Sequence, residues 1–146
     1  MEDYIVFQPS VKPLHKEDKE DYWFLFRDNK LMVYKEKGFF FIPRQKDILK
    51  LNISIYNIQC MGAYSGYNCH CGEFVDHIED DNFYFMDLRT LSRSIEENIY
   101  LLASKANLLL NWLKLNQYCG KCGSEMYIKD SKFERAMICS NCGNTT

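Results

Sequence analysis

The stretch SIEENIYLLASKANLLLNWLKLNQYCGKCG, residues 94–123, decides how this chain is read. In its first part Ile95, Ile99, Leu102, Ala103, Ala106, Leu109, Leu110 and Leu113 recur at steps of three and four. That spacing lays them on one apolar face of an α-helix. Ser94 and Glu97 have the S-x-x-E spacing of a capping box, and no Gly or Pro interrupts residues 94–118. A helix of about six turns is predicted there. Leu101, Leu108, Trp112 and Leu115 widen its apolar arc beyond one packing surface. The helix is therefore expected to touch a sheet on one side and a partner subunit or another domain on the other. A single large sheet wrapped around it is the alternative.

The end of the same stretch carries different chemistry. Cys119-x-x-Cys122 is followed, sixteen residues later, by Cys139-x-x-Cys142. Two close thiolate pairs suit a tetrahedral Zn²⁺ site, because a two-residue spacer lets both sulfurs of a pair reach one metal. Gly123 and Gly143 follow each pair, where positive φ turns backbone N–H groups toward the sulfurs. Residues 126–128 and 136–138 read as two short strands joined by a polar turn, which makes the segment a zinc ribbon. Four cysteines leave no open coordination position, so the metal is structural. So short a segment buries too little core to fold alone, and the metal supplies the folding energy. Iron in a rubredoxin-like site is the competing metal. Cys69-His70-Cys71 also looks metal-like, but it has no second pair beside it, only Cys60 and His77, and is read as ordinary loop or core.

Upstream, the pattern is that of short strands. Residues 4–7 form a candidate edge strand. Residues 22–26 and 31–34 flank Asp28-Asn29, which is hairpin-turn chemistry. Residues 35–38 form a second turn, and Pro43 ends the strand 39–42. Residues 51–58 alternate Leu51, Ile53 and Ile55 with Asn52 and Ser54, the period of a half-buried strand. Residues 60–64 and 83–88 complete the set, with 65–82 read mostly as loop and the charge run 15–21 as a solvated loop. The triples Phe39-Phe40-Phe41 and Phe83-Tyr84-Phe85 are read as core packing, with base stacking as the alternative.

Composition sets the outer limits. The chain has 146 residues, 47% hydrophobic and 15% aromatic, an ordinary globular balance with a bias to strands. A net charge of −2 disfavours a sequence-independent nucleic-acid binder. No apolar run is long enough for a membrane span and the acidic start is no export signal, which predicts a cytoplasmic protein. Seven cysteines without an export signal fit metal ligation better than a disulfide framework. No phosphate loop, dinucleotide fingerprint or nucleophile elbow is present, and no carboxylate cluster has the spacing to hold Mg²⁺. From the residues alone the chain has no catalytic apparatus.

Residues 101–112, running into Tyr118-Cys119-Gly120-Lys121-Cys122-Gly123, resemble the signature of NADH pyrophosphatases of the Nudix superfamily. Phe85-Met86-Asp87-Leu88-Arg89 resembles the segment that precedes that helix, and residues 23–26 with 31–33 resemble the early hairpin. The resemblance covers roughly Tyr22 to Gly143. It implies a β-rich Nudix-like domain without catalysis at residues 1–92, a linking helix at 93–117 and a zinc ribbon at 118–146, an α+β chain overall. It also implies a homodimer. The whole family enzyme hydrolyses the pyrophosphate of NADH or NAD⁺ to nicotinamide mononucleotide and AMP, and some members remove NAD caps from RNA. That reaction uses Mg²⁺ or Mn²⁺ held by the Nudix box, G-x5-E-x7-R-E-x-x-E-E-x-G, which does not occur here. Only Cys119, Cys122, Cys139 and Cys142 carry over, as metal ligands. A freestanding ribbon that binds nucleic acid or a protein partner is the alternative, supported by Lys121, Lys129, Lys132 and Arg135 against Glu125, Asp130 and Glu134.

Overall fold

The computed structural model describes residues 6–146. Residues 4 and 5 of the predicted first strand lie outside these; the strand found is β1, Phe7–Pro9. It is followed by β2 (Tyr22–Arg27), β3 (Lys30–Glu36), β4 (Phe39–Phe41), α1 (Gln45–Ile48), β5 (Tyr56–Tyr64), β6 (Tyr67–Glu73), β7 (Phe83–Met86), α2 (Leu88–Leu91), α3 (Glu97–Leu115), β8 (Met126–Ile128) and β9 (Met137–Cys139). This is a mixed α+β chain. The first seven strands form one sheet in the order β1-β5-β6-β2-β3-β4, with β7 paired to β3. All pairs are antiparallel except β2 with β6.

Three two-residue turns set the register. Asp28 and Asn29 have φ of 51° and 64°, Lys37 and Gly38 52° and 84°, Ser65 and Gly66 54° and 84°. Left-handed pairs of this kind twist in the same sense as the strands they join. The first two turns are those expected from sequence. The third lies in the stretch read as loop, and β6 follows it. Its sequence, YNCHCGE, is too polar to announce a strand. Its burial comes instead from its position between β5 and β2.

Strand alternation then divides the core in two. Tyr22, Phe24 and Phe26 of β2, Leu31 and Val33 of β3, and Cys69 and Cys71 of β6 face α3. Leu25 and Met32 face the other way, onto Ile48 and Phe74, with Leu51, Ile53 and Ile55 beside them. The predicted strand over 51–58 therefore exists only from Tyr56 onward. Residues 51–55 cover the second face without pairing, and the Asp76 carboxylate accepts a hydrogen bond from Ser54 N (2.8 Å). Of the aromatic triples, Phe83 and Phe85 pack on this cluster. Phe39 and Phe41 do not pack as expected: they are 69% and 43% exposed, because β4 is a short edge strand.

Helix α3 lies on the first face through Leu102, Ala103, Ala106, Leu110 and Leu113. It starts later than the sequence suggests, and the predicted capping box does not form. Ser94 Oγ donates instead to Thr90 O (3.3 Å), in the turn after α2. The capping residue used is Asp87, whose carboxylate accepts from Thr90 N (2.7 Å) at the start of α2. At the far end of α3, Lys114 pairs with the buried Glu73 of β6 (2.6 Å). Among the described residues no helix is long and apolar enough to cross a membrane.

The charge run at residues 15–21 is solvated except at its end. Asp21 is fully buried. It accepts from Asn68 N (3.0 Å) and Asp18 N (3.1 Å) and lies 3.8 Å from His70 Nε2. The Asn68 side chain in turn ties down the backbone of Leu14 and His15.

Candidate metal centre

The ribbon begins where α3 ends. Its two cysteine pairs sit in equivalent turns. Cys119 N donates to Ser124 O (2.8 Å) and Cys139 N to Asn144 O (2.8 Å). Gly123 N returns to Cys119 O and Gly143 N to Cys139 O. Both glycines take the left-handed conformation expected, with φ of 77° and 76°. A side chain there would strain the turn that aims each pair inward. Strands β8 and β9 pair Met126 with Cys139 and bring the turns together.

The outcome is a cluster of four sulfurs, all within 4.8 Å of one another. Cys122 Sγ lies 3.4 Å from Cys139 Sγ and 3.7 Å from Cys142 Sγ, and Cys119 Sγ lies 3.7 Å from Cys142 Sγ. A metal at about 2.3 Å from four tetrahedral sulfurs requires edges of about 3.8 Å. The donor set and spacing therefore fit a zinc-sized ion. Backbone N–H groups of Lys121 and Asn141 point at the sulfurs of Cys119 and Cys139 (3.3 and 3.4 Å). Such donors favour thiolates. The Ser124 N–H, with its hydroxyl, draws the Cys122 thiol down to about 6. The N–H groups of Cys122 and Lys121 lower Cys119 as well. The Cys142 thiol is held up at about 11, against the pull of the Asn144 N–H, by its hydrogen bonds with the Cys139, Cys119 and Cys122 sulfurs and by burial.

The ribbon does not have a core of its own but shares that of the sheet and helix. Met137 of β9 is 5% exposed and belongs to the same cluster as Leu113 and Leu110 of α3. Arg135 reaches across to β5, where its guanidinium donates to Gln59 Oε1 and to Cys60 O (both 2.6 Å). Arg135 is thus spent on the sheet. Lys129 is paired with Glu134. Of the four basic residues noted in the sequence, only Lys121 and Lys132 are outside such contacts among the described residues.

Cys69 and Cys71 are not part of this centre. Both are fully buried against α3. Burial pushes each thiol up to about 12. The core reading of these residues holds.

The fold and the cysteine cluster meet the comparisons with known proteins at this point. Residues 20–112 match the NADH pyrophosphatase-like rudimentary NUDIX domain, and the chain belongs to that family. It is also similar to an NAD-capped RNA hydrolase, NudC, of Shigella dysenteriae serotype 1 (strain Sd197), with 42% identity over 48 residues. That alignment covers 33% of this chain and 18% of the length of the relative.

Proposed function

We propose that the chain is the non-catalytic, structural part of an NADH pyrophosphatase-type Nudix hydrolase of the cytoplasm. In this reading residues 1–92 are the rudimentary domain, 93–117 the connecting helix and 118–146 a zinc ribbon. The observation that supports it is the four-sulfur cluster at the end of α3, in a chain whose residues 20–112 match the family. Cys119, Cys122, Cys139 and Cys142 are the zinc ligands. Zinc saturated by four thiolates supplies folding energy and fixes the ribbon against α3. The reaction it serves is hydrolysis of the pyrophosphate of NADH or NAD⁺, or of an NAD cap on RNA. Mg²⁺ or Mn²⁺ and the Nudix-box glutamates perform that reaction, and the 146 residues contain no such box.

The test has two readouts. Elemental analysis of the purified chain is expected to give one zinc per chain. Incubation with NADH and Mg²⁺ or Mn²⁺ is expected to release no AMP. Folded protein with neither zinc nor iron would overturn the metal assignment. AMP release at an enzymatic rate would overturn the non-catalytic reading.

The same reading makes the chain a homodimer. Leu101, Leu108 and Leu115 are 50%, 69% and 83% exposed and seven residues apart, so they form one stripe on the free side of α3. Two copies with α3 antiparallel would set Leu108 against itself and Leu101 against Leu115.

A further inference from the structure

The seven cysteines divide by access. Cys69 and Cys71 have no exposed surface, and Cys60 is half-buried. Within the metal centre Cys119 and Cys139 are 4% and 2% exposed, whereas Cys122 and Cys142 are exposed. The four-sulfur cluster therefore has an inner and an outer half. The inner sulfurs are tied into their turns. Cys119 Sγ accepts from Lys121 N (3.3 Å), and Cys139 Sγ from Asn141 N and Cys142 N (both 3.4 Å). The outer sulfurs lie side by side, 3.7 Å apart. A disulfide needs about 2.05 Å, so an approach of about 1.7 Å closes one, within reach of side-chain rotation.

The ribbon is also wired to the rest of the chain. Met126 N donates to Gln117 O (2.9 Å) and Thr146 Oγ1 to Asn116 Oδ1 (3.1 Å), both at the exit of α3. Met137 packs in the core shared with Leu110 and Leu113, and Arg135 holds β5. Whatever undoes the two cysteine turns therefore loosens the end of α3 and uncovers part of its apolar face.

Thiolates that ligate a metal are deprotonated, and accessible thiolates are the ones that peroxides attack. We propose that Cys122 and Cys142 form an oxidation site for hydrogen peroxide, which closes them into a disulfide, ends zinc binding and frees the ribbon from α3 and β5. One of the two thiolates attacks a peroxide oxygen. An S–O bond forms, the O–O bond breaks and hydroxide leaves, giving a sulfenic acid. The second thiolate attacks that sulfur. The S–S bond forms, the S–O bond breaks and a second hydroxide leaves. The two sulfurs lose two electrons in all, and one peroxide is reduced to two hydroxides, which take up protons as water. Cys119 and Cys139 alone cannot complete a four-thiolate site. This rests on the zinc reading above and adds a chemical role for its outer ligands.

The experiment treats the zinc-loaded 146-residue chain with excess hydrogen peroxide and follows zinc release with a chromophoric chelator. Zinc content is measured first, so a chain purified without zinc overturns the metal reading and this one with it, whereas a chain that keeps its zinc under peroxide overturns this one alone. Stoichiometric release is expected, and peptide mass mapping should find the Cys122–Cys142 disulfide with Cys69 and Cys71 still reduced. Melting should fall to that of the chelator-treated chain, and dithiothreitol with Zn²⁺ should restore it. Cys60→Ser should release zinc at the parent rate. Cys142→His keeps four ligands, three sulfurs and one imidazole, and should slow release at least about tenfold for want of the second thiolate. If that variant holds no zinc, the disulfide map of the parent decides alone. A disulfide that omits Cys122 or Cys142, release that needs Cys60, or Cys142→His releasing zinc as fast as the parent would overturn the proposal.

Discussion

Removal of the metal should destabilise the sheet as well as the ribbon. Cys122 is exposed, so Cys122→Ser takes a ligand away without disturbing packing. The ribbon should then unfold and withdraw Met137 and Arg135 from the rest of the chain. Met137 is 5% exposed against Leu113 and Leu110. Losing that burial costs about 2 kcal/mol, within the range for one large apolar side chain. The Arg135 guanidinium makes two bonds of 2.6 Å to β5 at a half-buried site, and their loss adds about 1–2 kcal/mol. At a few degrees per kcal/mol for a domain of this size, the sheet should melt about 10 °C lower. The assay is thermal unfolding followed by circular dichroism for the parent, Cys122→Ser and the parent with excess chelator. The two zinc-free samples should agree. If the sheet melts within about 2 °C of the parent while zinc is lost, the ribbon and sheet are not thermodynamically coupled and the shared core at Met137 has been misjudged.

Asp21→Ala should cost about 2–4 kcal/mol in urea unfolding, because it leaves the buried Asn68 N–H without its acceptor. Burial raises the Cys69 and Cys71 thiols from about 9 to about 12, so the folded state holds those protons longer than the unfolded chain does. Their contribution to stability is complete below pH 9 and is lost as pH climbs toward 12, so unfolding free energy should fall over that interval. The Cys69→Ala/Cys71→Ala variant should show a shallower alkaline slope, and an equal slope would refute the burial argument. Leu108→Glu should convert a dimer to a monomer in light scattering with zinc retained; a parent chain that is monomeric at high micromolar concentration would remove the helix-stripe argument.

What the sequence determined by itself was local. Asp28-Asn29 and Lys37-Gly38 specify their turns because positive φ at consecutive positions is a property of those residues and not of their neighbours. The three- and four-residue apolar steps of residues 97–115 specify a helix, and the two C-x-x-C pairs followed by glycine specify the ribbon turns, for the same reason. The tertiary structure decided everything that depends on position in the sheet. β6 is central because β2 and β5 flank it, although its own residues are polar. Residues 51–55 alternate like a strand, yet they pair with no strand and cover a face instead. Asp21 stands at the end of an ordinary charge run and is buried only because Asn68 and His70 arrive from β6. Ser94 and Glu97 have the spacing of a cap, but the turn after α2 claims the serine. A cavity beside β4 joins residues 20 to 99 in sequence order, and no local pattern records such a convergence. Turn and helix preferences are short-range energies written residue by residue, whereas burial and pairing are assigned by whichever segments the chain brings alongside.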